Sequence, residues 1–187
     1  RQPISTLFPY TTLFRSFASG MAAIATTCFA FLRPGDTILH SRPLYGGTET
    51  LLKNQMGAFG VTPFGFTDGL DIEQMRDVAR AAAAKGRVAM ILVETPANPT
   101  NGLVDLAACK MIADELEKSQ GHRPPVVVDN TMLGPKYQKP LKQGADLSLL
   151  SLTKYVGGHS DLVGGSISGS EALRSEEHTS ELQSPNT

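Results

Sequence analysis

Between residues 17 and 173, short continuous apolar runs alternate with longer Ala-rich or amphipathic stretches, with clusters of Gly, Pro, Asp and Asn between them. Short apolar runs bounded by turn residues are the pattern of strands covered on both faces, and the longer stretches are that of helices. The alternation predicts an α/β domain with a mostly parallel sheet flanked by helices. Residues 19–32 read as a buried helix that stops at the turn cluster Arg33-Pro34-Gly35-Asp36. A strand is predicted at 37–40, a helix at 47–59 and a strand at 61–66. Asp71 is placed to cap a helix that runs to Lys85 and stops at Gly86, and Asp105 to begin another that ends before Gly121. The runs 88–94, 126–129 and 147–151 predict three buried strands, and 163–168 a last one.

The two ends break this pattern. Residues 6–16 read TLFPYTTLFRS and residues 174–184 read RSEEHTSELQS, with no period that continues into the neighbouring segment. Both strings resemble one-frame translations of sequencing-adapter oligonucleotides. Residues 1–16 and 174–187 are therefore expected to be foreign to the fold, and 17–173 to be part of a domain from a longer protein.

Composition narrows the function classes without choosing one. The chain is 41% hydrophobic and 19% charged with a net charge of −1, which offers no basic footprint for nucleic acid or an anionic membrane. Setting the two ends aside leaves 17 − 3 = 14 basic against 18 − 3 = 15 acidic residues, so the balance holds. No apolar run approaches the roughly 20 residues that span a bilayer, and no signal-peptide pattern opens the chain. The expectation is a cytoplasmic protein whose Cys28 and Cys109 are reduced thiols inside predicted helices.

The polar residues fall in one kind of place. Val126-Val127-Val128 runs into Asp129-Asn130-Thr131, Leu149-Leu150 into Ser151-Leu152-Thr153-Lys154, and Leu92-Val93 into Glu94-Thr95-Pro96-Ala97-Asn98. Three apolar strands thus present polar groups at their carboxyl ends, the edge at which open α/β sheets bind ligands. Lys154 fits a solvated strand terminus from its position alone. In surroundings of low polarity, its amine would be a nucleophile for a carbonyl. Asp129 fits a turn-former as well as a partner for a protonated ring nitrogen.

Ser151-Leu152-Thr153-Lys154-Tyr155 followed by Gly158-His159-Ser160-Asp161 resembles the lysine signature of the Cys/Met-metabolism family of pyridoxal-phosphate (PLP) enzymes. Ser19-Gly20-Met21, Tyr45-Gly46-Gly47-Thr48, the segment from Glu94 to Pro99 and Asp129-Asn130-Thr131 agree with it in order. The resemblance implies the large cofactor domain of the aspartate-aminotransferase-like (type I) fold, truncated here. It implies Lys154 as the residue that holds PLP as a Schiff base and moves protons, and Asp129 as the partner of the pyridine nitrogen. Tyr45 would stack on the ring and assist proton transfer, with Asn98 near the ring oxygen. Gly20 and Met21 at a helix start, with Ser151 and Thr153, would hold the phosphate, and Thr131 completes the cofactor set.

The reaction so implied is γ-replacement or γ-elimination on a homoserine ester or a sulfur amino acid, in a homodimer or homotetramer. Methionine γ-lyases of the family typically carry Cys after the Tyr-Gly pair, where this chain has Gly47, which favours a cystathionine γ-synthase or γ-lyase type of chemistry. Family members also carry an N-terminal segment and a C-terminal domain that complete the site, so the 187-residue chain alone is expected to be a poor catalyst. An aminotransferase of the same fold and a non-catalytic α/β module are the rival readings. His159, beside Gly157-Gly158, reads as a loop hydrogen-bonder. His40 and His122 have no partners at metal-ligand spacing. Gly157-Gly158 and Gly164-Gly165 read as tight turns and match neither dinucleotide nor mononucleotide phosphate loops.

Overall fold

The computed structural model describes residues 13–169, and within it the apolar runs form strands. These are β1 (Leu13–Phe17), β2 (Thr37–Ser41), β3 (Thr62–Phe66), β4 (Val88–Glu94), β5 (Val126–Asp129), β6 (Leu147–Ser151) and β7 (Gly165–Gly169). They make one sheet in the order β1-β7-β6-β5-β4-β2-β3. Every pairing from β3 across to β6 is parallel, and β7 and β1 add two antiparallel pairings at one side. After β3 the chain crosses back over β2 to lay down β4, then β5 and β6. The direction of winding thus reverses between β2 and β4, which is where doubly wound sheets open a crevice.

The helices are α1 (Gly20–Phe31), α2 (Gly46–Thr50), α3 (Ile72–Lys85), α4 (Leu106–Gln120) and the short α5 (Gly134–Tyr137). α2 runs on as a π-helical stretch, Leu51–Met56, and a 3-10 turn at Pro140–Lys142 follows α5. Helix starts follow the caps read from sequence. Asp71 accepts from the amides of Glu73 and Gln74 at 3.0 and 3.1 Å, and Asp105 from those of Ala107 and Ala108 at 2.8 and 3.2 Å. Gly121 closes α4 with φ of 71°, the left-handed conformation expected of it. Gly86 closes α3 for a different reason. Its backbone is extended, and a side chain there would run into the Gly35 carbonyl, so glycine is required for close approach.

Side-chain alternation along the strands divides the core into two layers. On β4, Val88, Ile91 and Val93 join Met75, Ala79, Cys109 and Ile112 of α3 and α4. Met90 and Leu92 instead join Ala23, Ile24 and Cys28 of α1 and Leu52 and Met56 beyond α2. On β5, Val126 and Val128 face α4, while Val127 faces α1. The result is a three-layer α/β/α arrangement, with each fully buried Leu, Ile or Val contributing about 1.5–3 kcal/mol. Both cysteines are free and buried. No helix among the described residues is long and apolar enough to cross a membrane.

Four features depart from the sequence reading. Leu13–Phe17 pairs in unbroken antiparallel register with Gly165–Gly169, although residues 13–16 carry no strand pattern. Backbone hydrogen bonding does not depend on side-chain alternation, so an edge strand forms without it. Residues 1–12 and 174–187 lie outside the described residues. The last strand is shifted to Gly165–Gly169, and α5 with its following 3-10 turn forms where the sequence pattern predicts no element. Gly165, finally, is not a turn glycine. It lies in β7, where a side chain would strike the Ser19 carbonyl, so its lack of one lets the start of α1 seat on the sheet.

Candidate active site

Period-two alternation decides which side chains meet at the carboxyl edge. Val127 and Leu149 face α1, and so therefore do Asp129 and Ser151, two residues further on. Leu92 faces the same way, which brings Glu94 into line, and Glu94 and Asp129 are direct register partners across β4 and β5. The start of α1 and the loop after β2 close over this edge. The cleft they leave is lined by all nine residues read as site candidates. Gly20 and Met21 come from α1, Tyr45 from the loop after β2, and Asn98 from the loop after β4. Asp129 ends β5 with Thr131 just beyond it, and Ser151 ends β6 with Thr153 and Lys154 just beyond it.

The start of α1 is built to face an anion. Ser19 Oγ accepts from the Ala22 amide at 3.0 Å and the Ser19 carbonyl from the Ala23 amide at 3.1 Å. The Gly20 and Met21 amides have no hydrogen-bond acceptor among the described residues. Free first-turn amides with the positive end of the helix dipole form a phosphate site. Gly20 also permits the contact that shapes it, because a Cβ there would lie 2.7 Å from Ser151 Cβ and 3.1 Å from Ser151 Oγ. The Thr153 hydroxyl reaches the cleft but is engaged with Gly164, accepting from its amide at 3.0 Å and lying 3.3 Å from its carbonyl.

Asp129 is the charged group set into the cleft floor. Its Oδ1 accepts from the Thr131 amide at 3.0 Å and the Thr131 hydroxyl at 2.5 Å. The same Thr131 oxygen accepts from the Ser151 amide at 2.9 Å, so one hydroxyl ties the carboxylate to the strand end beside α1. Burial pushes the Asp129 pKa up, and the two Thr131 hydrogen bonds offset part of that. A carboxylate held this way gains from a cation placed against it. Lys154 stands exposed beside the cleft, rather than in the apolar surroundings that the sequence reading invoked for a nucleophilic amine. Tyr45 is 43% exposed, with its ring over Gly47. Outside the cleft, His159 is exposed and its Nδ1 lies 3.0 Å from the Gly157 carbonyl, the loop contact predicted for it.

Glu94 is a further residue lining the cleft, one to which the sequence pattern assigns no role. It is buried, and its Oε2 accepts from the Tyr45 amide at 2.6 Å while Oε1 accepts from the Asn98 amide at 2.9 Å. Burial pushes its pKa up, the two amides act against that, and the nearby Asp129 charge adds to the rise. Its position at the end of an apolar strand was legible. Its partners are backbone amides, which no side-chain pattern reveals.

This sheet edge presents a lysine, a buried carboxylate, an aromatic ring and a helix-start anion cradle, the groups that a PLP site in an α/β fold needs. The donor set fits that cofactor: amides for a phosphate, a carboxylate for a ring cation, and an amine for an aldehyde. A family model described as Cys/Met metabolism PLP-dependent enzyme matches residues 11–185, and the chain belongs to that family. PLP is the family's cofactor, as expected from the lysine signature. An L-methionine gamma-lyase from Pseudomonas deceptionensis is 42% identical over 158 residues, which is 84% of this chain and 37% of the relative. A cystathionine gamma-synthase from Mycobacterium leprae is 41% identical over 155 residues, 82% of this chain and 36% of the relative. The crystal structure of metB from Corynebacterium glutamicum superposes with a TM-score of 0.77 at 37% identity, over 93% of this chain and 42% of that one. The type I fold is thereby shown, and the chain spans well under half the length of these relatives.

Proposed function

We propose that this chain carries the cofactor site of a PLP-dependent enzyme of trans-sulfuration chemistry. The reaction is γ-replacement or γ-elimination on a homoserine ester or a sulfur amino acid, as in a cystathionine γ-synthase or γ-lyase. The observation that carries the reading is the convergence of Lys154, Asp129, Tyr45 and the α1 start in one cleft. When bound, the cofactor supplies an electron sink for a carbanion at the substrate's α-carbon. Lys154 holds the cofactor through its ε-amine and moves the proton at the α-carbon. Asp129 keeps the ring nitrogen protonated, with Thr131 fixing the carboxylate. The Gly20 and Met21 amides and the Ser151 hydroxyl bind the phosphate, with Thr153 beside them. Tyr45 covers one ring face and Asn98 lies toward the ring oxygen. The proposed assembly is a homodimer or homotetramer, after the resemblance.

Overall similarity does not separate the two γ-chemistries, since both kinds of relative stand near 40% identity. Gly47 favours the cystathionine type. A Cβ there would lie 2.7 Å from Tyr45 Cε1 and 3.1 Å from Met21 Sδ, so a cysteine would require the half-exposed Tyr45 ring or the Met21 side chain to shift. Product analysis tests the reading. With PLP present, ammonia and an oxo acid from cystathionine, or a thioether from an O-acylhomoserine and cysteine, are the expected products, formed slowly by this chain because it spans 37% of the length of its methionine gamma-lyase relative. Exclusive transfer of the amino group to the cofactor would move the protein to the aminotransferases, and no PLP binding at all would leave a non-catalytic module.

A further inference from the structure

We infer that Glu94 is a positioning residue of this site, holding Tyr45 and Asn98 by their backbone amides in a way that only a carboxylate can. What Tyr45 and Asn98 do for a cofactor rests on the proposed function, whereas the hold itself does not. Glu94 is 4% exposed and sits where β4 ends. Its two oxygens reach two different loops, Oε2 to the Tyr45 amide at 2.6 Å and Oε1 to the Asn98 amide at 2.9 Å. Its own amide donates to Ser41 Oγ at 3.0 Å, at the end of β2. Glu94 thus joins the loops that follow β2 and β4, on either side of the point where the winding of the sheet reverses.

The side chain of Tyr45 has little else to place it. It makes no hydrogen bond among the described residues and is nearly half exposed, so the ring's position over the cleft is inherited from its backbone. That backbone is fixed on its amide side by two carboxylates in succession, because Glu49 Oε1 accepts from the Leu44 amide at 3.1 Å just before Glu94 takes the amide of Tyr45. Both groups hydrogen-bonded to the Glu94 carboxyl are donors, although the Asp129 carboxyl is its neighbour across the sheet. A carboxylate offers acceptors on both oxygens, whereas the amide of a glutamine offers one acceptor and one donor and must leave one N–H opposed. Burying this charge is expensive, and packing alone would be met by a neutral residue of the same size. The charge is explained by the two amides, and both amides belong to residues that line the cleft.

Amide hydrogen exchange on the cofactor-free protein, by NMR, tests the hold first. In the wild type, the Tyr45 and Asn98 amides should be protected although both lie in loops, and exchange at the rate of an unstructured peptide would overturn the inference. In Glu94→Gln, at least one of the two should exchange roughly tenfold to a hundredfold faster, with the amides of β4 and β5 unchanged. Uniform loss of protection would mean that Glu94 serves folding alone and would also overturn it. The second arm adds PLP and reads the circular dichroism induced in the bound cofactor's visible band. The Glu94→Gln variant should lose signal in the direction that Tyr45→Ala does, and the two changes should fall short of additive in the double variant. An unaltered band beside faster amide exchange would reduce Glu94 to a loop staple. If the wild type shows no band with PLP, the proposed function fails, while the exchange rates still decide whether Glu94 holds the two loops.

Discussion

Replacing Asp129 with Asn should make the cofactor-free protein more tolerant of neutral pH while weakening its grip on PLP, two effects of opposite sign in one variant. Asn keeps the shape and can keep an oxygen where Oδ1 accepts from the Thr131 amide and hydroxyl, so the local hydrogen bonds survive in neutral form. What disappears is a buried charge. The folded pKa of Asp129 is raised above its ordinary value of 3.8 by burial, so the folded protein holds this proton more tightly than the unfolded chain does. The group's contribution to stability therefore falls as pH climbs from about 4 through the folded pKa, and the penalty is complete above it. Urea unfolding of the apo protein between pH 4 and 7.5 should show the Asn variant gaining on the wild type as pH rises. Opposite a ring cation, the same change removes a charge-assisted hydrogen bond worth about 1.5–3 kcal/mol, or roughly ten- to hundredfold in affinity. Titration of PLP at its visible band measures that loss. Wild-type affinity in the variant, or a stability difference that does not move with pH, would refute the reasoning.

Other consequences follow from single contacts. Gly20→Ala places a Cβ 2.7 Å from Ser151 Cβ, so α1 must lift from β6; overpacking of this kind costs about 1–3 kcal/mol in urea unfolding, and PLP affinity should fall with it. Gly47→Cys forces the Tyr45 ring or the Met21 sulfur aside, and the cofactor's induced circular dichroism should change, whereas an unchanged band would mean that the ring does not cover the cofactor. Asp36 accepts from Arg87 Nε and Nη2 at 2.9 and 2.8 Å and from the Arg33 amide at 2.7 Å. Burial raises its pKa, but these hydrogen bonds and both arginine charges outweigh that and hold it below the ordinary value. Asp36→Asn should therefore cost about 1–2 kcal/mol at pH 7, discounted because Arg87 is 44% exposed, and the gap should close in urea unfolding as pH falls below about 4.

Much of this was legible in the sequence because strand, turn and cap signals act locally. Val88–Glu94, Val126–Asp129 and Leu147–Ser151 keep the predicted bounds, and they prove to be neighbours in the sheet, which is why their polar ends meet. The nine candidate residues line one cleft, an outcome that single strands predict only through the parity of their alternation. What sequence did not yield is non-local or carried by the backbone. The strand Leu13–Phe17 exists because β7 offers it an edge. The need for glycine at 165 comes from the Ser19 carbonyl and at 86 from the Gly35 carbonyl, contacts with no signature along the chain. Glu94 and Thr131 act through amides of distant segments, so their residue types were visible and their partners were not.

Borohydride reduction of the PLP-treated protein followed by peptide mapping shows whether Lys154 holds the cofactor. A stable pyridoxyl label is expected on Lys154, lost in Lys154→Arg. A label confined to other lysines, such as Lys136, Lys139 or Lys142, with Lys154 unmodified, would contradict it.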